Sequence, residues 1–147
     1  MRRTALLLIV FFIFFILSLS VASAQVQVQL KVIRASNVGQ NIDPSLKELH
    51  NELKTLFSFT SYRLLRDEKL SLSLNQPASI SAREGKIIME TTLVGLHKNV
   101  AELRIKVNRE GTDILNTQVR LSPKRTVLIG GPKLREGVII YAFYGHF

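Results

Sequence analysis

Three histidines and eleven carboxylates, with no cysteine, bound the chemistry this chain can perform. Without cysteine there is no disulfide framework, no thiolate metal site and no thiol nucleophile. His50, His97 and His146 show no metal-ligand spacing. The segment around the first reads His50-Asn51-Glu52-Leu53, not His-Glu-x-x-His. No Gly-x-Ser-x-Gly elbow and no Gly-x-x-x-x-Gly-Lys phosphate loop occurs. Gly130-Gly131 has no helix after it, so it reads as a turn or bulge where backbones approach closely. Glu84 and Glu90 flank a strand without forming the carboxylate pair of a glycosidase. No catalytic, metal-binding or cofactor-binding residue stands out. The expectation is a non-enzymatic domain that uses no cofactor.

Charge is the stronger signal. The chain has a formal net charge of +9. Setting aside Arg2 and Arg3, 18 basic residues face 11 acidic ones, a formal +7. Lys124, Arg125, Lys133 and Arg135 lie in two loops flanking one short strand and are the candidate basic patch. Such a surface suits anionic lipid, an acidic glycan or an acidic partner, and also serves solubility alone.

The N-terminus sets the compartment. Arg2 and Arg3 precede the apolar run Ala5–Leu19, and Ala22-Ser23-Ala24 follows it. This is the pattern of a secretory signal peptide cleaved after Ala24. The run is 15 residues long, short of the roughly 20 that a spanning helix needs. A retained anchor is the alternative. Residues 25–147 then form one exported domain, with no spanning segment after cleavage. The absence of cysteine and of Asn-x-Ser/Thr sites leans towards a bacterial periplasm or an extracellular setting, where nucleic acid is not an expected partner.

Gln25–Val32 alternates strictly, with Val26, Val28, Leu30 and Val32 on one face and a glutamine-rich face opposite. Val26, Val28 and Leu30 are the candidate partner edge for strand addition. Asp43-Pro44 starts the one helix expected in the domain, Asp43–Phe57, with Leu46, Leu49, Leu53 and Leu56 or Phe57 inward. Its Glu48 and Glu52 repel mildly at i,i+4.

The rest reads as β. Turns are expected at Arg66-Asp67-Glu68, Asn75-Pro77, Arg83-Gly85, Gly95-Asn99, Ser122-Arg125 and Lys133-Gly137. In the hairpin between Val100 and Leu121, core continuity requires Val107 opposite Leu115, Leu103 opposite Val119 and Glu102 opposite Arg120. A two-residue turn at Glu110-Gly111 would pair Val107 with Ile114, so an odd-length loop around Arg109–Asp113 is expected. Val138–Tyr144 is nearly all apolar and reads as a central strand buried on both faces. Of the aromatic tail, Tyr144 and Phe147 are the candidates for exposure.

Thr117-Gln118-Val119-Arg120-Leu121 followed by Thr126-Val127-Leu128-Ile129-Gly130-Gly131 resembles the strand pair in the β-domain of secretins. Secretins are outer-membrane pores of type II secretion and pilus systems, in which a Thr-x-Val strand precedes a Thr-Val-x-Ile-Gly-Gly strand. The chain departs from them in being too short for a pore-forming β-domain, and in Pro132 where an aliphatic residue is usual. The resemblance implies an accessory of an envelope or secretion assembly.

The expected fold is α+β and mainly β: a sandwich or partly open barrel of seven to nine strands with one helix over a face or end. The expected role is binding an envelope protein. The alternative is binding a small ligand, or a polyanion such as lipid or glycan.

Overall fold

A computed structural model describes residues 2–17, 25–82 and 86–147. The domain is a β-sandwich. Gln25–Ser36 (β1), Ser61–Ser73 (β2), Thr126–Leu134 (β7) and Gly137–Gly145 (β8) form one sheet. Pro77–Ser81 (β3), Ile87–His97 (β4), Val100–Arg109 (β5) and Thr112–Leu121 (β6) form the other. Both sheets are antiparallel, in the orders β2-β1-β8-β7 and β3-β4-β5-β6. The second sheet is a meander. The first joins the two ends of the domain, because β8 returns to lie beside β1. There is no closed barrel.

Alternation builds the main core. Val26, Val28, Leu30 and Val32 face Met89, Leu93, Leu103, Ile105 and Val107 across the sandwich, all at 2 % exposure or less. β8 contributes Ile139, Tyr141 and Phe143 to this core. Its alternate residues Ile140 and Ala142 enter a second cluster on the outer face of the first sheet, with Ile33, Ala35, Leu46, Leu53 and Tyr62. β8 is thus buried on both faces, as its apolar run requires.

The segment over that outer face begins where Asp43-Pro44 places it. The Asp43 carboxylate accepts from the Ser45 amide at 3.0 Å and the Ser45 hydroxyl at 2.6 Å. Its other oxygen accepts the Leu64 amide at 3.3 Å, tying the cap to β2. The expected single helix is instead two pieces: a 3-10 segment Pro44–Leu49, then an α-helix His50–Leu56 (α2). Leu46 and Leu53 are buried, Leu56 is 63 % exposed, and Phe57 takes the inward place. Phe57 packs over Gly130, where a Cβ would lie only 3.3 Å from its ring.

Several turns differ from expectation. Arg66-Asp67-Glu68 is not a turn, since β2 runs through it and accommodates a bulge beside Leu65. Gly130-Gly131-Pro132 does not end β7. It forms an irregularity within the strand, where a Cβ on Gly131 would meet the Ile139 carbonyl at 2.8 Å. The Arg83-Gly85 turn and the cleavage site after Ala24 lie outside the described residues. Arg2–Leu17 forms a helix (α1) whose Leu6–Phe12 side chains are at least half exposed. At 1.5 Å per residue it is about 24 Å long. Among the described residues, no helix is long and apolar enough to cross a membrane.

Candidate functional site

The glutamine-rich face of β1 becomes the floor of a groove. The helical segment covers the part of the first sheet's outer face around Ile33, Ala35 and Ile140 and leaves Gln25 and Gln27 exposed. Beyond it, Gln29 pairs with Lys69 of β2 and Tyr144 of β8, and Tyr144 with Thr126 of β7. One step nearer the helix, Lys31 pairs with Asp67 and Ala142. These rows and the flank of the helical segment 44–56 enclose an open groove of about 410 Å³. Glu48, Leu49 and Glu52 form one wall; Thr126, Tyr144 and His146 form the other.

The floor is held in place. Gln29 donates to Asp67 Oδ1 at 2.9 Å, and Ser71 donates to Gln27 Oε1 at 3.0 Å. Lys31 Nζ donates to the Ser45 carbonyl at 3.4 Å and lies 3.9 Å from Asp67 Oδ2, linking floor to wall. The Tyr144 and His146 rings sit 6.2 Å apart, tilted by 45°. Glu48 and Glu52 make no ion pair or hydrogen bond among the described residues. The i,i+4 repulsion noted in the sequence therefore places two unpaired carboxylates on one groove wall. This face offers apolar contact at Leu49 and Ala142, an aromatic ring and an acidic rim.

The residues singled out in the sequence are placed differently. Val26, Val28 and Leu30 are not an edge. β1 is interior, paired with β2 along its length and with β8 from Val28 to Ala35, and these side chains fill the core. Strand alternation reports faces, whereas edge or interior position depends on β8, more than a hundred residues later. A proline at Val28 or Leu30 would break the central sheet instead of selectively blocking a partner. Lys124 and Arg125 precede β7, while Lys133 and Arg135 lie at its far end, roughly 25 Å away at strand spacing. The four do not form one patch. Phe147 packs on the main core, and Tyr144 alone of the aromatic tail reaches the groove.

The histidines are dispersed: His50 in α2, His97 at the end of β4, His146 beside the groove. Among the described residues, no group of three or more His, Asp or Glu could hold a metal ion. Sequence reasoning missed the groove, although Gln27, Gln29 and Lys31 on one strand face were its trace. The secretin-like string falls on β6 and β7, which lie in different sheets and are not hydrogen-bonded to each other. No protein-family model, curated protein or solved structure matches this chain.

Proposed function

We propose that this is an exported, non-enzymatic binding domain whose groove receives a segment of an envelope protein. One observation carries the reading: the helical segment leaves part of the outer face open, and the open part has a held polar floor, an aromatic wall and two unpaired carboxylates. An extended segment with an apolar side chain over Ala142 and a basic one towards Glu48 and Glu52 fits this surface. Export rests on the N-terminal pattern, and an assembly or secretion machine is the setting that the resemblance in β6 and β7 suggests.

The test is in-cell photo-crosslinking from a photoreactive residue at Thr126, with mass spectrometry of the adduct. A protein adduct that disappears in Glu48→Lys/Glu52→Lys is expected. An adduct of lipid or glycan alone would transfer the role to polyanion binding, for which the basic composition is the motive. A protein adduct indifferent to both glutamates would mean that the partner meets Thr126 without using the acidic wall, and would overturn this reading of the groove.

A further inference from the structure

A β-sandwich has four sheet edges, and each exposes unpaired backbone groups that another strand can join. Three of the four edges here carry blocking devices. β2 has a bulge beside Leu65, and its Arg66 and Glu68 stand opposite the inward residues Val32 and Leu30. Arg66 bonds the Ser81 carbonyl at 3.1 Å and Glu68 at 2.8 Å, closing that side with charge. β3 is five residues long and begins at Pro77. β7 is interrupted between Gly130 and Lys133, and Pro132 has no amide hydrogen to donate.

β6 has none of these beyond its bulge at Ile114. From Leu115 to Leu121 its pairing with β5 is regular, without proline, glycine, bulge or inward charge. Its one charge in that stretch, Arg120, points outward, 3.6 Å from Glu102 of β5. The core-facing residues also look unfinished. Leu115, Thr117 and Val119 remain half-buried, whereas Leu103, Ile105 and Val107 on β5 are 0 % exposed.

We propose that β6 is a strand-addition edge and that its occupant is β6 of a second copy of this chain. The usable stretch runs from Leu115, after the bulge at Ile114, to Arg120, because Leu121 is already fully buried. An antiparallel two-fold centred on Gln118 pairs residues 116–120 with their copies. That register sets Thr117 opposite the second Val119, so inward faces meet inward faces. On the outer side Asn116 meets the second Arg120 and Gln118 meets itself, so no like charges face each other. The stretch is self-complementary, as an isologous two-fold contact requires. The two meanders then form one eight-stranded sheet. The groove lies on the other sheet and is left open, so this inference stands apart from the groove reading.

The chain has no cysteine, so introduced thiols report cleanly. The full chain is expressed with Gln118→Cys, or with Ser79→Cys on the β3 edge as control, and run on non-reducing gels after mild oxidation. Gln118→Cys should give a species of twice the chain mass and Ser79→Cys should not. Register is tested with Asn116→Cys and Arg120→Cys. Each alone should stay unlinked, because like residues sit about four positions, roughly 13 Å, apart. Co-expressed, the two should link. Gln118→Lys, an exposed change that leaves the fold intact by circular dichroism, should lose the wild-type dimer in sedimentation. Three outcomes would each overturn the proposal: a Gln118→Cys chain that stays unlinked, equal linking by the Ser79→Cys control, or a Gln118→Cys adduct of another protein's mass.

Discussion

Val107 faces Leu115 across the β5–β6 hairpin, although only two residues, Glu110 and Gly111, form the turn. Asn108 pairs with Asp113 and Arg109 with Thr112, so the regular ladder would bring Ile114 against Val107. Ile114 is instead extruded as a bulge, 41 % exposed, and the core face resumes at Leu115. Glu110 at φ 50° and Gly111 at φ 86° supply the turn geometry that suits the twist of the strands. The expected register is correct, but the extra residue lies in the strand and not in the loop.

Deleting Ile114 therefore leaves the alternation intact, since Asp113 points out and Leu115 points in. The shortened chain should lose less than about 1 kcal/mol. Deleting Gln118 turns Leu115 and Thr117 outward and Asn116 inward if Val119 and Leu121 keep their places. It should cost about 2–5 kcal/mol, comparable to emptying a leucine site in the core. Urea unfolding of the two deletions measures the difference. Equal losses would contradict the bulge as the register-setting device.

The same hairpin shows what the chain discloses before folding. Period-two runs identify inward faces, so Val26–Val32, Met89–Leu93 and Leu103–Val107 were legible. So was the start of the helical segment at Asp43-Pro44, where a cap and a proline act locally. Long-range facts were not legible. Arg66-Asp67-Glu68 resembles a turn by composition, yet Arg66 and Glu68 are the inward charges of an edge strand, which has meaning only once Ser81 lies across from it. The groove was hidden for the same reason. Its floor joins β1, β2, β7 and β8 in register, and its wall is the helical segment, whose Glu48 and Glu52 showed in the sequence only as a mild repulsion. The 3-10 start was hidden because Leu46 and Leu49 fit either helical period.

Two buried tyrosines give opposite expectations. The Tyr62 hydroxyl donates to the carbonyls of Phe57 at 3.2 Å and Leu53 at 3.4 Å, closing the C-terminus of α2. The Tyr141 hydroxyl is buried without a partner among the described residues. Tyr62→Phe should cost about 1 kcal/mol, while Tyr141→Phe should be neutral or stabilising by up to about 1 kcal/mol. Burial raises both phenol pKa values above the ordinary 10.0. The unfolded chain then ionises first, and stability falls as pH rises above about 10. Tyr141→Phe should reduce this alkaline loss, as measured by denaturant midpoints between pH 9 and 11. An unchanged alkaline slope would show that Tyr141 ionises freely in the fold.

Asp43 acts at the acid end. Its bonds from the Ser45 hydroxyl and amide, with that from Leu64, hold its carboxyl below the ordinary 3.8. A depressed folded value means the stabilisation is present above the unfolded pKa and lost as pH falls through the folded one. Asp43→Ala should cost about 0.5–2 kcal/mol at pH 7, the usual penalty for losing a cap. The gap between variant and wild type should close below pH 4. A constant gap down to pH 2 would show that the carboxylate charge plays no part.

Gly137 is the position where a single methyl should do most harm. It follows the β7–β8 turn at φ +119°, a conformation that side-chain-bearing residues rarely adopt. A Cβ built there would lie 1.9 Å from the Ala35 carbonyl oxygen and 3.0 Å from the Ser36 Cα. β1 and β8 pair closely at this point, since Ala35 faces Val138. Relief would require moving the strand that carries Ile139, Tyr141 and Phe143 into the main core. Backbone strain and overpacking together should cost about 2–6 kcal/mol in Gly137→Ala. Gly111, also at positive φ, has nothing within 4 Å of its built Cβ. Gly111→Asn, which keeps a residue tolerant of that conformation, should change stability by no more than about 0.5 kcal/mol. Thermal melts of the two variants decide the point. If both lose stability equally, positive φ alone accounts for the loss and the close approach of β8 to β1 does not.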